Sequence, residues 1–317
     1  MSDVTTSHGL LQVKQEFDVL LANLAEVLKE VRPRTNILNT KLGKIKKDLE
    51  NIENLDKKSI AKISEIVTKF NTINEIFRND IEFNKKDLVK IIEGKHNYDL
   101  DSNDGYNDSF FELSMALRFL LSLKETKPRI NLESECDVII NDKVAIECKY
   151  IHSLSNIIKN IRKANNQIDK RVEGGQAEIG FIALDLSHVC SKDKVEEFAE
   201  YTFNRFVDNY RYLEEKRRIS SDIIEQILVD NNFKKIINSY FMSEVETALY
   251  GELGFSYDMG PNVLAIIFQS INSFCFEYEG RIMPVAVRGM TYFINRDLDD
   301  EKTRQVKSYI HSLAVGI

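Results

Sequence analysis

Up to about residue 80, apolar residues recur at alternating spacings of four and three. Val13, Phe17, Leu20, Leu24, Val27 and Val31 form one series. Leu38, Leu42, Ile45, Leu49 and Ile52 form a second, and Ile63, Ile66, Phe70, Ile73 and Phe77 a third. That period places each series along one face of a helix. Pro33 separates the first two series, because proline interrupts a continuing helix, and Leu55-Asp56-Lys57 marks the second break. The pattern predicts helical hairpins or a coiled-coil arm over residues 1–95. A helical bundle packed on the protein's own core fits it equally, since short heptad blocks do not separate packing within a chain from packing between chains.

The pattern then changes. Residues 94–108 are polar and turn-rich, the composition of a linker. A strongly apolar helix is predicted from Phe110 to about Leu123, followed by strands over 129–132, 137–140 and 144–150. A polar-faced helix over 155–172 ends at Gly174-Gly175, and a continuous apolar strand covers 178–185. The order helix, three strands, helix, strand predicts an α/β fold, a mixed sheet flanked by helices on both faces. Residues 192 to about 235 read as helical, 263–269, 274–278 and 284–293 as strands, and 299–313 as a last helix. These C-terminal elements either extend the sheet or form a small appended unit. The expected organisation is thus a helical arm, 1–95, and an α/β domain, 107–317, with a core over 107–190 and an extension over 191–317.

Composition narrows the function classes. Of 317 residues, 43% are hydrophobic and 29% charged, and no apolar run is long enough to cross a bilayer. The N-terminal residues lack a basic region followed by a long apolar one, so no membrane contact and a cytoplasmic location are expected. The four cysteines, Cys136, Cys148, Cys190 and Cys275, form no CxxC pair, which argues against a zinc cluster or a disulfide framework. A net charge of −7 argues against a protein that coats nucleic acid but leaves room for a local basic groove.

The candidate chemistry lies between Asp137 and Lys149. Asp137 heads one strand of a hairpin, and Glu147 and Lys149 sit two residues apart on the returning strand, on one face. Magnesium favours hard oxygen ligands, one or two of them carboxylates. Asp137 and Glu147 supply such carboxylates, and the Cys148 carbonyl a third ligand. Lys149 would orient or help deprotonate an attacking water, or steady the pentavalent transition state. Register decides whether the groups meet. A two-residue turn at Asn141-Asp142 pairs Ile140 with Lys143 and sets Asp137 on the face opposite Glu147. A three-residue loop pairs Ile140 with Val144 and sets Asp137 across from Glu147. A metal site shared by Asp137 and Glu147 requires the second.

Flanking residues complete the candidate set. Glu112 lies in the first turn of the apolar helix, where Ser109-Phe-Phe-Glu112 also reads as a capping box. Gln167 lies on the polar helix, along which Lys159, Arg162, Lys163 and Lys170 form a basic stripe suited to phosphate contact or simply to solvation. His152, just past the motif, reads as a surface histidine, with a proton carrier as the alternative.

Asp137 followed by Glu147-Cys-Lys149 resembles the PD-(D/E)xK nuclease superfamily, and so does the order of elements around it, over roughly residues 107–190. The resemblance implies a restriction-endonuclease-like fold, Mg2+ (or Mn2+) as cofactor and DNA as substrate. It matches Asp137, Glu147 and Lys149 to the signature, Glu112 to the acidic residue of the first core helix and Gln167 to the glutamine of the helix after the motif. Cys136 stands where many members have proline. Arg171 stands where a QxxxY pattern would need tyrosine, so Gln167-Ile-Asp-Lys170 is more like the Mrr and Holliday-junction resolvase branches. The expected activity is a metal-dependent endonuclease, in restriction or defence against foreign DNA, with the arm forming a homodimer or holding another helical partner. The alternatives are a nuclease-fold module that binds DNA or protein without cutting, and a structural protein whose heptad helices are the working part.

Overall fold

The structure is a computed structural model that describes residues 3–4, 9–79, 81, 83–95, 98, 105–123, 138–140, 143–187, 189, 192–216, 222–254 and 257–315. A mixed α/β architecture is built around one sheet. Its strands are β1 (Asp3–Val4), β2 (Val138–Ile140), β3 (Val144–Tyr150), β4 (Ile179–Asp185), β5 (Val263–Tyr278) and β6 (Arg281–Ile294), in the order β1-β6-β5-β4-β3-β2. The centre, β3-β4-β5, is parallel, while β2 and β6 run antiparallel to β3 and β5. Parallel strands joined by helices are covered on both faces, which is why Ile179-Gly-Phe-Ile-Ala-Leu-Asp185 is almost continuously apolar and buried.

One face carries α1 (Leu10–Val31), α2 (Lys41–Glu50), α3 (Lys57–Asn71), α4 (Asn74–Arg78), α5 (Lys85–Lys90), α6 (Tyr106–Leu123) and α11 (Asp300–Val315). The other carries α7 (Ile157–Glu173), α8 (Lys192–Glu215), α9 (Ile223–Val229) and α10 (Asn231–Leu253). Alternation divides the strands between the two cores. Ile146, Cys148, Phe181, Ala183, Ala265 and Ile267 face the first core, whereas Ala145, Ile182, Leu184, Ile266 and Phe268 face the second.

The N-terminal helices bury their seams in this same chain. α1 stops at Val31, ahead of Pro33, and Asp56 caps α3 by accepting the Ser59 N–H at 2.9 Å. Besides the heptad positions, α1 buries Leu21 and Leu28, so its apolar stripe is the broad one of a core helix rather than a two-position seam. α3 lies across β5 and β6, and Phe70 meets Phe110 of α6 at 5.1 Å between ring centroids. The third apolar series is not one helix: α3 ends at Asn71 and α4 begins at Asn74.

Several expectations are corrected. The apolar helix begins at Tyr106, four residues before Phe110, so Ser109 lies inside α6 and does not cap it. Three expected C-terminal strands are two, β5 and β6, which extend the central sheet as a long hairpin. Glu279 and Gly280 carry positive φ, 51° and 78°, the turn geometry that matches the twist of a two-residue hairpin. Ser270 and Asn272, which interrupt the apolar pattern of β5, are buried and bonded to each other at 2.9 Å. The helical stretch after 192 is three helices, with Asp222 and Asp230 capping α9 and α10. The expected strand over 129–132 lies outside the described residues.

Close approach fixes α7 on the sheet. A Cβ at Gly180 would come within 2.5 Å of Cγ2 of Ile168, a β-branched side chain with little room to turn. Gly180→Ala is expected to cost about 1–3 kcal/mol in chemical denaturation, the usual range for overpacking; an unchanged midpoint would show that α7 is not held this tightly.

Candidate active site

β3 positions the candidate groups. Its register with β2 pairs Val138 with Ile146, Ile139 with Ala145 and Ile140 with Val144. This is the three-residue-loop register, not the two-residue turn. Asp137 lies outside the described residues, as do Asn141 and Asp142 of the loop.

Glu147 and Lys149 share the strand face that turns toward α7. Glu147 has no exposed surface, and Lys149 is largely buried, with Nζ 3.1 Å from Glu147 Oε2. A carboxylate and an amine this close form an ion pair shielded from water.

Beside the second half of β3 a cleft of about 550 Å³ opens. Lys149 and Cys148 line it from β3, Glu112 from α6, and Lys159 from the first turn of α7. Glu147 does not line it. Neither do Gln167, Arg162, Lys163 and Lys170, which lie further along or around α7. Arg162, Lys163 and Lys170 are exposed, as is Lys159, because Ile157, Ile161, Ala164 and Ile168 take the opposite face into the core. Each buried isoleucine stabilises that docking by roughly 1.5–3 kcal/mol. Burial pushes the Tyr257 phenol up, and the charge of Arg162 partly brings it back.

The cleft also holds residues outside the motif. Asp108 sits one turn before Glu112, a spacing of four that the sequence reveals once α6 starts at Tyr106. The Lys90 ammonium of α5 is held above the usual lysine range, first by its hydrogen bond with Asp87 and further by the charge of Glu112. His152 lines the cleft too, edge-on to Tyr150 with ring centroids 5.1 Å apart. Asn156 and Asn160, four apart at the start of α7, add polar groups.

Among the described residues no group of three or more His, Cys, Asp and Glu side chains is gathered so as to hold a metal ion. The donors the described part of the motif supplies, the Glu147 carboxylate and the Cys148 carbonyl, are hard oxygens of the kind Mg2+ and Mn2+ prefer.

Lys149→Met removes the amine 3.1 Å from the buried Glu147 carboxylate and is expected to destabilise the fold by about 3–5 kcal/mol. Glu147→Gln with Lys149→Met together should cost less than Lys149→Met alone. A cycle of urea midpoints that is merely additive would show that the two groups are not coupled. The chain matches no known family, no curated protein and no solved structure.

Proposed function

We propose that this chain is a divalent-metal-dependent nuclease that hydrolyses DNA phosphodiester bonds at the cleft beside β3. The observation that carries the reading is the pairing of buried Glu147 with Lys149, two residues apart on one face of β3, with the amine opening into a polar cleft of about 550 Å³. The reading takes Asp137 as the second carboxylate, and the described register allows it: Val138 pairs with Ile146, so a strand continued by one residue opposes Glu147.

Each residue then has a task. Glu147, the Cys148 carbonyl and Asp137 would hold the metal, which supplies Lewis-acid polarisation of the phosphate and a more acidic bound water. Lys149, paired with Glu147, faces the negative charge that gathers on the phosphate oxygens as water attacks. Glu112, across the cleft on α6, orients water. Lys159 meets the phosphate at the cleft, and Arg162, Lys163 and Lys170 continue a cationic path along α7 for the flanking strand. Gln167, two turns beyond Asn160 on α7, does not line the cleft.

A second reading is favoured by one observation, the complete enclosure of Glu147. A carboxylate that no ion reaches would leave a module that binds DNA without cutting it.

Purified protein is expected to nick plasmid DNA with Mg2+ or Mn2+ and not with EDTA. Glu147→Gln and Lys149→Ala should each slow cleavage by about 100–1,000-fold. Retarded DNA on a gel with no cleavage under any metal would select the second reading, and absence of both binding and cleavage would sink both. Metal alone should also raise the melting temperature of the wild type and not that of Glu147→Gln.

A further inference from the structure

Hydrolysis of a phosphodiester expels an alkoxide, which is a poor leaving group unless it receives a proton. Of the ionisable side chains lining the cleft, Cys148 and Tyr150 are largely buried and are of types that hold their protons above neutral pH, while Asp108 and Glu112 are carboxylates, a type with no proton to give there. Lys149 and Lys159 are amines, and lysine ammonium is a weak acid. Imidazole is the side-chain type that ordinarily carries and releases a proton between pH 5 and 8, and an acid matched to the working pH transfers protons best.

His152 is the imidazole of this cleft. It sits two residues beyond the end of β3, so the strand that places Lys149 also places His152. Its ring is steadied edge-on by Tyr150, a largely buried residue, at 5.1 Å. The histidine itself is exposed and can be recharged from solvent. Lys149 and His152 thus approach one chamber from positions three apart in the same chain segment.

We propose that His152 is the general acid of this site, donating its proton to the oxygen that leaves phosphorus. In the step, the water oxygen forms a bond to phosphorus, and the bond from phosphorus to the bridging oxygen breaks. The bridging oxygen keeps that electron pair and takes the imidazolium proton. The proton released by the water passes to solvent, from which His152 is protonated again, so the net change is one water consumed. The assignment rests on the nuclease reading above.

The test compares two oligonucleotides that differ only at the scissile bridging atom, oxygen in one and sulfur in the other. Whether the products carry 5′- or 3′-phosphate shows which bridging position leaves and so where the sulfur belongs. A thiolate departs without a proton. His152→Ala is expected to cut the oxygen substrate about 100-fold more slowly or worse. It should cut the sulfur substrate within a few-fold of the wild type. Lys149→Ala should slow both. His152→Asn, which keeps a polar side chain but cannot act as an acid, should behave like His152→Ala, and melting curves of both variants should match the wild type. Equal losses on the two substrates, or no loss on either, would overturn the assignment of His152 alone. A wild type that cuts neither substrate would bring down the nuclease reading and this one together.

Discussion

A carboxylate with no exposed surface, in the middle of a central strand, is the constraint around which this molecule is arranged. Taking such an ion out of water costs several kcal/mol unless a counter-charge and hydrogen bonds accompany it. Lys149 supplies that charge from two residues away, at 3.1 Å. The alternation of a strand puts residues two apart on one face, so the pair is available only while β3 stays extended and in register. β4 runs beside β3 along its whole length, β2 fixes its first three residues, and α7, seated close on Gly180, covers the face that the pair occupies. Each contact that keeps β3 straight also keeps Glu147 tolerable where it is.

The N-terminal helices belong to the same constraint. α6 is the wall of the cleft opposite β3, and its first turns are held from behind. Lys41 of α2 is buried with its ammonium over the ring of Tyr106, and Phe70 of α3 packs on Phe110. The helical unit therefore shares an apolar core with the sheet and shapes the side of the cleft that carries Asp108 and Glu112.

A second polar cluster lies at the carboxyl ends of the parallel strands and has a different character. The Asp185 carboxylate accepts the Ser187 N–H, the Ser187 hydroxyl and the Gln269 amide, at 2.9, 2.5 and 3.0 Å, and Arg288 reaches the Gln269 carbonyl at 3.5 Å. Burial pulls the Arg288 guanidinium down to about 9, still on the charged side of neutrality. The adjoining cavity, roofed by α3 and the start of α6, has room for little more than a water, about 20 Å³. Interlocked hydrogen bonds of this kind specify how β4, β5 and β6 meet. The cleft past Tyr150 is far larger and open, with cations and carboxylates from three elements.

Much of the local structure was written in the chain. The apolar periods of the first helices, the proline after α1, the glycines after α7 and the unbroken apolar run of β4 each act over a few residues, so they are readable without a fold. The same holds for Glu147 and Lys149 sharing a face. What pairs with what is another matter. Heptad spacing is the same whether a helix meets a second chain or its own sheet, and only the position of α3 across β5 and β6 placed those seams inside one core. Ser270 and Asn272 resemble a break until β6 lies alongside. The hairpin admitted two registers, and packing chose the one that pairs Ile140 with Val144. Asp108 carries no local mark, and the place of His152 just past the motif does not tell a surface histidine from one in a cleft. They enter the cleft because a strand end and a helix start, more than forty residues apart in sequence, were brought together by surfaces that only the folded chain possesses.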